Sequence, residues 1–259
     1  MIKITCSSEG KIKEKNEDCY GYNDACFVVA DGATDKSGKL YGGKTGGELV
    51  SNLVVNGCLT TALNGAELVN HINSKISDLY KQLKITEIIK DPKFRFTCSF
   101  VCVRLELEKI TITYIGDVGF RINNTEVYLV KKQVDTNNSN ERANYIKKTG
   151  DIEGARKHIE PLLIKQFDYQ NNAENPLGYG VLDGTVTPNK FINKLTLDIK
   201  DLWSLEIFSD GYFAIPNEAT INAWEKLHKQ TELEDPDKYI KYRSTKSMDD
   251  RTVLIVNFK

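Results

Sequence analysis

Aspartates are the residues of this chain best placed to do chemistry. Asp31 follows the apolar run CFVVA, Asp117 follows ITITYIG and Asp210 follows LEIFS, so three carboxylates fall at the C-terminal ends of strand-like segments. Asp18 stands just before CYGYN, and Asp249 opens the segment DDRTVLIVNF. In antiparallel neighbours the end of one strand lies beside the start of the next, so all five could gather at one edge. Carboxylates crowded together repel, and each raises the others' pKa unless cations neutralise them. An oxygen-only donor set favours the hard ions Mg2+ and Mn2+. Two such ions about 4 Å apart can ionise a bridging water and clamp a phosphoryl group for in-line attack. Asp31-Gly32 adds a backbone carbonyl that glycine leaves open to close approach. Taken singly, an aspartate after a strand is more often a turn former bonded to its own backbone. Five placements in one consistent pattern favour ligands.

The elements that must position these side chains are legible in outline. MIKIT and CFVVAD read as strands, and DGATDKSGKLYGGKTGG reads as a glycine-bearing loop. A mostly apolar stretch from Glu48 to Leu63 is long enough for a buried helix. Leu68, Ile72, Ile76, Leu79 and Leu83 then mark one face of a second helix running to about Lys84. From Thr97 to Val130 the pattern is a strand meander, SFVCVRLEL, KITITYIGD and FRINNTEVYLV. Residues 131–190 are weaker. QVDTNNSNERANY and DYQNNAENPLGYG read as polar loops around a helix near Gly154 to Lys165, outside the main core. Strands return at KLTLDI, WSLEIFSD and RTVLIVNF, with helices expected at Asn217–Lys229 and Pro236–Tyr242. This order lacks the regular alternation of a doubly wound sheet and predicts a layered α+β sandwich whose first and last strands pair. No internal repeat and no linker divides the chain, so one domain is expected over 1–259.

Composition excludes several classes. Among 259 residues, 35 Lys and Arg balance 36 Asp and Glu to a net charge of −1, which offers no general attraction for nucleic acid or an anionic membrane. With 40% hydrophobic and 27% charged residues, no apolar run approaches the roughly eighteen of a membrane span. The start MIKITCSSEGKIKEKNED lacks the apolar core of a secretory signal, and a cytoplasmic location is expected. Of six cysteines, Cys26, Cys98 and Cys102 sit in apolar strands and read as reduced core thiols.

Three other signals are weaker. Cys98 and Arg104 have the Cys-x5-Arg spacing of thiolate phosphatases, but the segment alternates like a half-buried strand and is no phosphate-cradling loop. His71, His158 and His228 are scattered without zinc-ligand spacing. Gly38 to Thr45, GKLYGGKT, has the G-x-x-x-x-G-K-[ST] spacing of a phosphate loop, but no strand runs directly into it and nucleotide binding is not expected.

In order along the chain stand NED (Asn16–Asp18), VVADG (Val28–Gly32), TGG (Thr45–Gly47), GD (Gly116-Asp117), FSDG (Phe208–Gly211) and DDRTVLIV (Asp249–Val256). Through this ordered set, which spans nearly the whole chain, the sequence resembles the PP2C (PPM) serine/threonine protein phosphatases of bacterial type. The resemblance implies a four-layer α-β-β-α sandwich, two antiparallel sheets flanked by helix pairs, with two Mn2+ or Mg2+ ions at one end. Asp31 would bridge them and the Gly32 carbonyl would bind one. Asp18, Asp210 and Asp249 would complete the shell directly or through water, and Asp117 matches the position of a weaker third ion. Residues 131–190 would be the variable flap beside the site. The substrate would be a phosphorylated protein, with a cognate serine/threonine kinase as a possible counterpart.

Several positions depart from that pattern. Lys13 stands where an arginine commonly holds the substrate phosphate, and an ammonium cannot form its bidentate fork. Ala33 replaces a histidine that serves some members as general acid, which would leave a metal-bound water to protonate the leaving alcohol. Ala214 stands where a further ligand of the third ion is usual, Asp250 where asparagine is common, and Val118 makes GDV of the usual GDS. The alternative is a catalytically weak or inactive protein of the same fold that binds a phosphoprotein or partner.

Overall fold

The computed structural model describes residues 2–12, 15–33 and 35–258, the side chain of Ile89 aside. Ten strands form two five-stranded antiparallel sheets. The first sheet has the order β1-β10-β9-β6-β7, from β1 (Ile2–Glu9), β6 (Gly119–Ile122), β7 (Glu126–Tyr128), β9 (Ser204–Phe208) and β10 (Arg251–Phe258). The second has the order β2-β3-β4-β5-β8, from β2 (Asp18–Asn23), β3 (Cys26–Ala33), β4 (Thr97–Glu106), β5 (Lys109–Ile115) and β8 (Asn193–Asp198). The expected pairing of first and last strands is present, with Ile2 opposite Phe258 and Glu9 opposite Arg251.

The central strands are apolar along their length because both of their faces are covered. On β3, Phe27 and Val29 turn toward the other sheet, while Cys26, Val28 and Ala30 turn toward helices. β10 does the same on the opposite side: Leu254 and Val256 join the core between the sheets, and Val253 and Ile255 pack outward around Trp224. The layers are therefore helix, sheet, sheet, helix. Over the second sheet lie α1 (Gly46–Leu59) and α2 (Gly65–Gln82); over the first lies α6 (Ile221–Glu234), which carries Trp224. The face expected on α2 is the one that packs, with Leu68, Ile72 and Ile76 buried and Leu79 and Leu83 half-buried beside them. All six cysteines are free. No helix among the described residues is long and apolar enough to cross a membrane.

Residues 131–190 hold more structure than their composition suggests. QVDTNNSNERANY, expected as a loop, lies in α3 (Gln133–Thr149). Its buried residues Val134, Asn138, Ser139, Arg142, Ala143 and Ile146 keep a helical period, but half of them are polar, which hides the stripe from a hydropathy reading. Arg142 explains the polarity. Its guanidinium donates to the carbonyls of Asp237, Lys238 and Ser244 and to the Ser247 hydroxyl. The helix expected near 154–165 is two short ones, α4 (Ile152–His158) and α5 (Glu160–Lys165). Leu182, at the end of this region, returns to the core and pairs with Cys98. Pro236–Tyr242 is not helical. Asp235 accepts from the amides of Tyr239, Ile240, Lys241 and Tyr242, and a carboxylate that gathers so many N–H groups competes with the helix for them.

Candidate metal centre

Strand register brings the aspartates to one end of the sandwich. Asp18 on β2 stands directly opposite Asp31 on β3, and Asp31 stands opposite Ser99 on β4. Ser99 reaches on to the next carboxylate by donating its hydroxyl to Asp117 Oδ1 at 2.7 Å. Gly116 makes that contact possible. Its φ of +79° is costly for an L side chain, and a Cβ there would lie 2.1 Å from the Ser99 hydroxyl oxygen. From the other sheet Ser209, fully buried at the end of β9, donates to Asp18 Oδ2 at 2.6 Å and accepts from the Thr252 amide of β10. Asp210 follows it, and Asp249 sits two residues before β10.

Gly32 is required by its surroundings. A Cβ there would come within 2.2 Å of the Gly47 carbonyl oxygen, because the first turn of α1 presses against the end of β3. Thr45 sets that turn. It caps α1, closes a capping box with Glu48, and donates its hydroxyl to Glu17 at 2.6 Å. The TGG segment thus positions backbone at the start of α1.

The aspartates share one electrostatic field. Burial, then the charges of Asp18, Asp210, Asp117 and Asp249, hold the Asp31 carboxyl well above the ordinary carboxylate range. Asp18 is pushed up to about 7 by burial and by Asp249 and Asp250, against the Ser209 hydrogen bond. Asp210 is raised by the protein crowded around it and by Asp249 and Asp117. Since its own surface opens into the cleft, repulsion counts for more than burial there. Asp117 runs the other way. Burial alone would raise it, but the Lys132 ammonium at 2.7 Å and the Ser99 hydroxyl bring it below its usual value.

Among the described residues no three His, Cys, Asp or Glu side chains converge as a ready-made ion cage. Asp18 and Asp117 are instead engaged by hydroxyls, and two lysines reach in: Lys132 to Asp117, and Lys246 to Asp249 at 2.5 Å. The donor chemistry nevertheless fits hard divalent ions. Asp18, Asp31 and Asp210 are carboxylates whose ionisation is suppressed by one another and by burial, and the Gly32 backbone stands beside them where only glycine fits.

Above the aspartates opens a cavity of about 650 Å3 lined in part by Asp31, Asp117 and Asp210 and walled by the cations Lys11, Lys36, Lys132, Arg156 and Lys246. Burial and the nearness of Arg156 and Lys246 bring Lys36 down to about 8. Lys13, expected to hold phosphate, lies outside the described residues. Lys11 is tied by its ammonium to Glu17 and Asp250, each at 3.0 Å. Asp250 also accepts from the amides of Lys11 and Glu17, which gives this carboxylate a structural task. Sequence reading did not single out Ser99, Ser209, Lys132, Lys246 or Arg156, because each acts on a partner in another segment or sits in a polar stretch without periodicity. Of the weaker leads, Cys98 lines the cavity as a buried thiol, whereas Arg104 and His158 are engaged elsewhere. Arg104 on β4 donates to the carbonyls of Leu63 and Cys58, and His158 pairs with Glu141 on α3.

No protein-family model matches the chain, and no curated protein matches it. Solved structures do. The serine/threonine phosphatase PstP/Ppp of Mycobacterium tuberculosis superposes with a TM-score of 0.56 at 14% identity, over 100% of this chain and 99% of that one. Stp1 from Staphylococcus aureus gives 0.55 at 16% identity, over 100% and 96%. The catalytic domain of PstP in complex with two manganese ions gives 0.54 at 14% identity, over 99% and 97%. At these identities the likeness establishes the fold, which is the PP2C-type sandwich implied by the ordered motifs.

Proposed function

We propose that this chain is a metal-dependent protein phosphatase that hydrolyses phosphoserine and phosphothreonine. The observation that carries the reading is the gathering of Asp18, Asp31, Asp210 and Asp249 at the sheet ends, where divalent cations would relieve the repulsion that now suppresses the ionisation of Asp18, Asp31 and Asp210. Two Mn2+ or Mg2+ ions would be held by Asp31 between them, the Gly32 carbonyl, Asp18, Asp210 and Asp249. The bound ions supply an ionised water for attack on phosphorus and positive charge to offset the phosphoryl group in flight. The solved relative carrying two manganese ions supports this choice of cofactor.

The chain's own residues do the rest. Ser209 fixes one Asp18 oxygen and so aims the other. Lys11, Lys36, Arg156 and Lys246 make the cavity wall positive above an acidic floor, which draws a dianionic phosphate inward and turns its ester oxygen outward. Lys246 is suited to change partners. It is 36% exposed and reaches Asp249 from only three residues away, so it can pass from the carboxylate to an incoming phosphate. The pairing of first and last strands supports taking 1–259 as one such domain. Its counterpart is a serine/threonine kinase acting on the same proteins, in the cytoplasm.

Purified protein with Mn2+ should hydrolyse p-nitrophenyl phosphate and a phosphothreonine peptide. Folded, metal-loaded protein inert toward both would end the catalytic reading. One observation favours a second reading, a binding module without turnover: lysines already neutralise Asp117 and Asp249. Binding of Mn2+ and of phosphopeptide with no phosphate released would select it.

A further inference from the structure

We propose that Lys132 is a built-in cation for Asp117, so that the cleft takes two divalent ions and Asp117 holds no third. The inference rests on the two-ion reading above and concerns only the fifth aspartate. Both oxygens of Asp117 are engaged, Oδ1 by the Ser99 hydroxyl at 2.7 Å and Oδ2 by the Lys132 ammonium at 2.7 Å.

The ammonium has little freedom to leave. Its side chain is 10% exposed, its nitrogen lies 5.1 Å from the centre of the buried Tyr179 ring, and Asp135 Oδ2 stands 3.9 Å away. The backbone fixes it as well. Lys132 is the N-cap residue of α3, and its carbonyl accepts from the amides of Asp135 and Thr136, so the side chain springs from a fixed helix start. Asp135 is steadied in turn by the Gln166 side-chain amide at 2.9 Å. Withdrawing a lysine from such a place would leave a buried ammonium without its nearest carboxylate, a cost that a weakly bound ion does not offset. Lys246 differs on each count. It is more exposed and it reaches Asp249 from its own loop, so the same argument does not close Asp249 to an ion.

Counting bound Mn2+ from the resonance of the free aqueous ion tests the idea. Wild-type protein and Lys132→Arg, which keeps the charge, should each bind two ions. Lys132→Met should bind a third at millimolar Mn2+, and Lys132→Met with Asp117→Asn should return to two. Lys132→Gln serves if the methionine variant fails to fold, and urea unfolding of the metal-free proteins checks this: the midpoint should fall in Lys132→Met and recover largely in the double variant. Three ions on the wild type, or two on both neutral Lys132 variants, would overturn the proposal. No ion on the wild type would overturn the two-ion reading itself, whereas three would leave that reading standing.

Discussion

The acidic floor and the cationic wall of the same cleft are held in place by different forces. Asp18 and Asp31 are set by backbone register between strands whose faces are packed with Val, Ile and Phe, so their positions follow from the sheet. The wall is held by charged side chains on backbone oxygens: Arg142 from α3 grips the 237–247 segment, and Arg156 from α4 donates to Thr245 in it at 2.8 Å. A floor built on register tolerates stored repulsion, because moving one carboxylate would mean shifting a strand. A wall built on a few guanidinium contacts can be rebuilt by few substitutions.

The sharpest way to break this contrast is at the centre of the floor. Asp31→Asn should lower Mn2+-dependent hydrolysis on the order of 10^3-fold, since in the proposed role as ligand of both ions Asp31 would contribute several kcal/mol to the transition state. The same change should raise the urea midpoint of the metal-free protein, because a strongly repelled carboxylate is removed. A variant that lost activity and stability together would argue that Asp31 is structural.

Next in size is the pH response of the metal-free protein. Asp18 is raised in the folded state from 3.8 to about 7, so between those values the folded chain holds a proton that the unfolded chain has released. The resulting stabilisation is present at low pH and is lost as pH rises through about 7, with an upper magnitude of about 4 kcal/mol. Urea midpoints should therefore fall from pH 5.5 to pH 8 without metal, and saturating Mn2+ should flatten or reverse the trend. A metal-free midpoint that rose over this interval would contradict the stored repulsion.

On the wall, Arg142→Met should cost about 2 to 3 kcal/mol of stability by urea unfolding, since it leaves several carbonyls without their donor. Proteolysis within 237–247 should quicken, while a cost near zero would show that the grip is dispensable. The smallest effect belongs to the contact between wall and floor. Lys246→Met should tighten Mn2+ binding by roughly 3- to 10-fold, as a competing cation worth about 1 kcal/mol leaves Asp249. Weaker Mn2+ binding in that variant would exclude competition.

The same contrast decides what could be read in advance. The floor was legible because each aspartate borders an apolar run, and the order of the short motifs carried the fold. Ser99 gave no signal and Ser209 stood only as part of FSDG, since each meets the carboxylate it orients, Asp117 or Asp18, only once distant strands are paired. The wall was largely illegible. α3 buries Asn138, Ser139 and Arg142 toward other polar groups, so its helical period does not register as hydrophobicity. Lys132 lies in a stretch whose composition suggests only a solvated turn, and its meaning appears with Tyr179 and Asp117 around it. Asp235 misled in the opposite direction, drawing into a loop a segment that reads as a helix.

The pairing of β1 with β10 also bears on how the molecule is made. Among the described residues β10 is the only neighbour of β1 in its sheet, and the Glu17 amide meets the Asp250 carboxylate across 233 positions of sequence. During synthesis β1 therefore has no sheet partner until β10 has been made. Asp18 and Asp31 can approach each other early through the β2–β3 pairing, but Asp249 joins them last. Pairings between segments so far apart in sequence slow folding in general, and the acidic floor needs one of them to be complete.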